Sequence, residues 1–150
     1  MLTELNCDLE EVVKTSWFLC FYMIDQLFVR EKVENWIFVS DLGGLSLSKI
    51  PTKHLKKFML EAQEFLKCRL RKFFYFNTTF GLRAIFAIIS PFLDKVVREK
   101  TCLKKGMTDP QLLKFAHPSQ IEKKFGGEAE NLTEFWPPVC PSTEYSHDPD

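Results

Sequence analysis

Cysteine is sparse and unpaired in this sequence: there are five, an odd number, and none at Cys-x-x-Cys spacing. Neither a disulfide framework nor a zinc site is expected, and Cys7, Cys20, Cys68, Cys102 and Cys140 read as reduced thiols with a cytosolic address. Glycine is also sparse, six residues in 150, and no glycine-rich phosphate loop occurs. Of the three histidines, His54 lies in a lysine-rich segment and His117 beside a turn. No nucleophile–base spacing joins them to Asp41, Glu61 or a cysteine, so the reading is of a non-enzyme with no catalytic residue, no metal site and no cofactor. Long apolar runs are missing too. The run Trp17–Ile24 is far short of the ~20 residues that cross a bilayer, and it follows Glu4, Asp8, Glu10 and Glu11 rather than a basic start, which is not the pattern of a secretory signal. The glycosylation patterns at Asn77-Thr78-Thr79 and Asn131-Leu132-Thr133 carry no weight without secretion.

Phenylalanine is abundant by contrast, with 15 copies in a chain that is 45% hydrophobic. At this length one domain is expected, and so many rings must fill a core or line a cavity for an apolar ligand. Net charge is zero but unevenly placed: Lys49 to Lys124 holds 17 Lys/Arg against 6 Asp/Glu, while the flanks hold 3 against 14. The middle is a surface for anionic partners. Its basic residues are dispersed rather than interleaved with aromatics, which argues for a membrane surface over nucleic acid.

Apolar residues from Leu9 to Val29 recur at spacings of three and four (Val12, Val13, Trp17, Cys20, Phe21, Ile24, Leu27, Phe28), which predicts an amphipathic helix. Asn35–Leu42 reads as a buried strand closed by Gly43-Gly44, with Asp41 as a loop or cap residue. Pro51 is placed to open a helix whose inner stripe is Leu55, Phe58, Met59, Ala62, Phe65 and Leu66, with Glu61 at the stripe's edge. Beyond Leu93 follow a charged helix, a weak strand at Thr101–Leu103, a helix near Gln111–Phe115 and a turn ending at Phe125-Gly126-Gly127. From Glu128 the chain turns acidic and proline-containing, so the division is a domain over 1–127 and a tail over 128–150, with Trp136 docking locally.

The organising stretch is Phe73 to Asp94. Four consecutive aromatics, Phe73-Phe74-Tyr75-Phe76, predict a strand buried on both faces. Asn77-Thr78-Thr79 is turn and cap chemistry. Phe80–Ile89 has helix length and no polar face, Arg83 being its one charge, and Ser90-Pro91 ends or kinks it. Strands alternating with helices imply an α/β fold with a mixed, largely parallel sheet and helices packed on it.

The ordered landmarks Phe38-Val39-Ser40-Asp41-Leu42-Gly43-Gly44-Leu45-Ser46, Phe73–Asn77, Ser90-Pro91-Phe92-Leu93-Asp94 and Pro118–Gly127 resemble those of the CRAL-TRIO lipid-binding domain family. The resemblance covers roughly Val33 to Gly127. It implies a sheet flooring a hydrophobic pocket closed by a gate helix, here Phe80–Ile89. Lipid-binding residues on this reading are Glu61, Phe38, Phe74, Phe76, Phe80, Ile85, Phe86, Ile89 and Phe92, and the gate hinge is Gly81, Ser90 and Pro91. Phosphatidylinositol-binding members carry a lysine where this chain has Ser90, and a neutral hydroxyl does not replace a charge-assisted phosphate contact. The family's N-terminal helical domain and its opening strand have no counterpart here. That leaves a sheet edge open to a second copy of the chain.

The implied function is non-enzymatic binding and transfer of a phospholipid or other hydrophobic ligand, by a cytoplasmic protein peripheral on membranes. The alternative is a module that keeps the fold for recruitment to a membrane or partner and has lost ligand exchange.

Overall fold

The computed structural model describes residues 9–28, 31–32, 34–45, 52–66 and 68–136. Its elements are α1 (Leu9–Tyr22), β1 (Trp36–Asp41), α2 (Thr52–Leu66), β2 (Leu70–Phe76), α3 (Phe80–Ile89), α4 (Lys95–Lys100) and β3 (Thr101–Leu103). Pro51, Cys7, Cys140 and the tail beyond Trp136 lie outside the described residues, as do the side chains of His54 and Leu55. The three strands form one parallel sheet in the order β1-β2-β3. Parallel neighbours need crossover connections, and α2 and the α3–α4 pair supply them. The expected helix over Leu9–Val29 runs as α-helix to Tyr22 and then as a π turn over Met23–Leu27, closed by the Phe28 amide donating to the Met23 carbonyl at 2.9 Å. The expected helix near Gln111–Phe115 is a single 3₁₀ turn, Leu112–Lys114.

Strand alternation divides the aromatics of β2 between two faces. Phe74 and Phe76 are fully buried and pack with Leu112 and Ile121, flanked by Ile37, Val39, Cys102, Ala116 and Phe125. The last segment of the domain therefore covers this face. Phe73 and Tyr75 turn to the other face, where Phe38 lies beside Phe73 at a ring-centroid distance of 5.1 Å and Phe73 stacks on Tyr75 at 4.0 Å. Trp36 and Leu66 pack on that same face with Cys20, joined by Trp17, Phe28, Phe38, Ala62 and Leu70, so α1 and α2 cover its lower end. A third cluster, Ile89, Leu93 and Val97 with Met59, Ile85 and Phe86, fastens α3 and α4 to α2.

The strand ends are tied by one polar joint. Asp41 Oδ1 accepts from the Gly43 amide and from Asn77 Nδ2, both at 2.8 Å. Asn77 takes a left-handed backbone, φ 53°, which asparagine tolerates better than most residues. That twist turns the Asn77 amide to the Gly106 carbonyl and the Thr78 amide to the Lys104 carbonyl. Asp41 is thus a loop-fixing residue, as its position in the sequence suggests.

Candidate functional site

Helix α3 begins with Thr79, whose hydroxyl accepts from the Leu82 amide at 3.3 Å and satisfies one of the amides a helix start leaves open. One side of the helix turns Ile85, Phe86 and Ile89 toward Met59, Leu93 and Val97. Its opposite side is also apolar but faces water: Phe80 is 83% exposed and Ile88 71%, with Ala84 and Ala87 exposed between them. Phe92, just beyond, is 53% exposed and has Lys56 Nζ 3.2 Å from its ring centroid. A helix of this kind cannot be explained by the core alone, because half its apolar surface is unspent.

The α-helix ends at Ile89, as the Ser90-Pro91 pair suggests. Ser90–Phe92 continues it as a 3₁₀ turn, with Pro91 early in the turn where no amide is required. Ser90 Oγ donates to the Ala87 carbonyl at 3.3 Å. Buried Gln63 of α2 then grips the chain, accepting from the Asp94 amide at 2.9 Å and donating to the Phe92 carbonyl at 3.5 Å. Gly81 lies within the helix, and neither it nor Ser90 or Pro91 has left-handed backbone.

Opposite α2, the sheet presents the ladder Phe38, Phe73 and Tyr75. Burial pushes the Tyr75 phenol well above its usual range, yet the side chain keeps part of its surface accessible. The phenol stays neutral, and so a hydrogen-bond donor, across the physiological range.

The structure brings Ile85, Phe86 and Ile89 together on the inner side of α3, and sets Phe38 in a separate cluster with Trp36 and Leu66. It does not bring Phe74 and Phe76 to them. Those two rings fill the closed core with Leu112 and Ile121, while their neighbours Phe73 and Tyr75 take the face that carries Phe38. The register Phe38↔Phe73 decides this, since paired residues in adjacent parallel strands share a face. Phe80 and Phe92 face outward rather than into a recess. Glu61 is half exposed and lies 3.8 Å from Lys57 one helical turn earlier, so its carboxylate has a surface partner. Met59 and Gln63 are further residues of α2 that the sequence reading did not assign to the site.

Among the described residues, no group of three His, Cys, Asp or Glu is placed to hold a metal ion, and no helix is long and apolar enough to cross a membrane. His117 Nδ1 lies 2.8 Å from Ser119 Oγ and accepts from the Ser119 amide, which makes it the cap of a 3₁₀ turn.

A parallel sheet with one face covered by Leu112, Ile121 and Phe125, the other carrying an aromatic ladder, and helices packed around it defines an α/β domain. The CRAL/TRIO domain model matches residues 1–127, and the chain belongs to that family. It is similar to the SEC14 cytosolic factor of Kluyveromyces lactis, 31% identical over 102 residues, and to that of Candida glabrata, 30% identical over 100; each match covers 65% of this chain and 33% of the relative. The SEC14 cytosolic factor of Yarrowia lipolytica is 27% identical over 133 residues, covering 87% of this chain and 26% of that protein. The chain therefore spans about a third of the length of these relatives or less.

Proposed function

We propose that this domain binds one hydrophobic molecule, a phospholipid or similar lipid, and exchanges it at a membrane surface without chemistry. The observation that carries the reading is α3: apolar inward against Met59, Leu93 and Val97, and apolar outward at Phe80, Ile88 and Phe92. The recess lies between the ladder of Phe38, Phe73 and Tyr75 and the pair α2–α3, with Met59, Ile85 and Phe86 on the helical wall. An acyl chain held there gains about 0.8 kcal/mol per methylene removed from water, so release into water is negligible. Contact with a bilayer removes that penalty, because the chain passes from one apolar medium to another. The outward stripe of α3 supplies the contact, and the positive middle of the chain directs it to anionic membranes, an attraction that weakens with salt. The Ser90-Pro91 turn is the point about which α3 moves, and the setting is cytoplasmic, as the names of the SEC14 cytosolic factors say of those relatives.

The test pairs mass spectrometry of organic extracts from the purified chain with a vesicle-to-vesicle lipid exchange assay. A stoichiometric lipid in the wild type, and slowed exchange in an Ile85→Asp/Phe86→Asp variant that remains folded, are the expected results. Unchanged exchange in that variant sinks the gate. An empty but monodisperse wild type moves the reading to a recruitment module.

Self-association follows from the sheet. Among the described residues β1 has a strand neighbour on one side alone. The Trp36 amide donates to Arg69 and the Leu42 amide to Phe76, so the alternate amides of Ile37, Val39 and Asp41 point away from β2. Two copies paired antiparallel about Val39 complete each other's edge, a pairing that Trp36-Ile37-Phe38-Val39-Ser40, lacking lysine and proline, does nothing to prevent. Light scattering across a concentration series should show twice the chain mass; monomer at every concentration sinks the pairing.

A further inference from the structure

Arg83 is the one charged residue of α3, a turn in from the Thr79 cap. It is half-buried, and its Nε is shielded from solvent with no hydrogen-bond partner among the described residues. A guanidinium never gives up its charge at physiological pH, so this N–H has lost water and gained nothing in return. The neighbouring elements do not supply a carboxylate for it. Glu61 of α2 is set beside Lys57, and Glu99 of α4 beside Lys95. Lys56, which lies over Phe92, adds to the positive field, as do the amides of the first turn of α3. No described residue supplies a hydrogen-bond partner to that Nε.

The identity of the orphaned atom narrows the ligand. Nε and the adjacent terminal nitrogen form the side edge of the guanidinium, two parallel donors spaced for two oxygens of one oxyanion. A hydroxyl or a single carbonyl fills one of them. Arg83 shares its flank of α3 with Phe86, three residues on, and Phe86 and Met59 both pack against the cluster of Ile89, Leu93 and Val97 that joins α3 to α2. The phosphate of a glycerophospholipid would meet Arg83 while its acyl chains run past Phe86. Long side chains on a helix lean toward its N-terminus, which carries the guanidinium to the end where the amides of the first turn add to the attraction.

We propose that Arg83 is a phosphate-binding residue of this domain, taking two phosphate oxygens of the bound ligand through its Nε edge. The inference rests on the lipid-holding reading for the source of the phosphate, while the phosphate chemistry itself does not. The experiment uses the full chain as wild type, Arg83→Gln and Arg83→Lys, each checked by circular dichroism melting. Each is incubated with vesicles containing phosphatidylinositol, phosphatidylcholine and diacylglycerol, and the lipid retained is quantified by mass spectrometry. Arg83→Gln should retain about tenfold less of both phospholipids and an unchanged amount of diacylglycerol, with Arg83→Lys in between because it keeps the charge and loses the fork. In a second arm, millimolar inorganic phosphate is added without vesicles. A rise in wild-type melting temperature that Arg83→Gln abolishes supports the site, and together with a wild type that retains no lipid it assigns free phosphate as the source and overturns the lipid reading alone. Equal phospholipid retention by folded Arg83→Gln and wild type overturns the role of Arg83. A wild type that takes up neither lipid nor phosphate overturns both.

Discussion

Replacing the outward residues of α3 by serine separates membrane contact from folding more sharply than any other change. Phe80, Ile88 and Phe92 are 83%, 71% and 53% exposed, so most of each side chain is already in water and little of the folded state depends on it. Full burial of a Phe or Ile side chain contributes about 1.5–3 kcal/mol. Scaled by the exposed fractions, the three together offer a bilayer roughly 3 kcal/mol at the low end of that range, and about half of that if insertion is shallow. The triple variant Phe80→Ser/Ile88→Ser/Phe92→Ser should lose about tenfold to a hundredfold in affinity for vesicles, since 1.4 kcal/mol is a factor of ten. Its melting temperature should hold within a few degrees of the wild type. The control is Ile89→Ser, which empties a buried position between Leu93 and Val97 and should cost about 2–5 kcal/mol of stability. Sedimentation with anionic vesicles beside a thermal melt reads both quantities. Undiminished sedimentation of the triple variant refutes the membrane role of this stripe, and a collapsed melt refutes the claim that it lies outside the core.

The two faces of β2 should respond differently to alanine. Phe74→Ala opens a cavity in the closed cluster with Leu112 and Ile121 and should cost about 3–5 kcal/mol by denaturant unfolding, whereas Phe73→Ala should reduce lipid retention at a smaller cost in stability. Gly127 admits no side chain, because a methyl group there overlaps the Ile121 carbonyl; Gly127→Ala should lower the melting temperature by several degrees, about what 1–3 kcal/mol produces in a domain of this size. Asp109 gives a pH signature. Burial alone would raise its carboxyl, but the Lys104 ammonium and the Gln111 amide hold it below the usual aspartate range. A depressed native value stabilises above the unfolded value near ~3.9 and is lost as pH falls through the native one, so stability should decline on acidification below about pH 4 and Asp109→Asn should flatten that decline in acid melts.

Much of the fold was legible because the periodicities were local. The spacing of Val13, Trp17, Cys20 and Ile24 announces α1, and the Asn-Thr-Thr cap and the Ser-Pro turn bracket α3 within a residue of its observed ends. The site was less legible because it depends on parity between strands. Four aromatics in a row look alike in sequence; which two face the helices is set by the pairing of Phe38 with Phe73, a contact between residues 35 apart. Gln63 is a second case. No spacing in the sequence marks it, and its burial is decided by the Asp94 amide brought to it by the turn after α3. Arg83 was visible as a lone charge on an apolar helix, while the orphaned Nε that gives it meaning required coordinates.

If α3 is a gate, one of its ends must be anchored while the other moves, and Gln63 identifies the anchor. The inner side of α3 is fastened by Ile85, Phe86 and Ile89, apolar contacts that a bilayer or a lipid can replace in kind. The Gln63 bonds to Phe92 and Asp94 are polar, directional and out of reach of an acyl chain, so they hold the end of α3 against α2 whether the recess is full or empty. The end of α3 at Ser90-Pro91-Phe92 is then the fixed one, and opening proceeds from the Thr79–Gly81 end, where the Thr79 hydroxyl's bond to the Leu82 amide lies within α3's own first turn. Removing the grip should free the fixed end as well. Gln63→Leu keeps the volume but strands the Asp94 amide, and should cost about 1–3 kcal/mol of stability while raising the rate of lipid exchange. Amide hydrogen exchange over residues 86–96 should accelerate in that variant more than over 80–84. The reverse pattern would place the anchor at Thr79 and make Ser90-Pro91 the moving end.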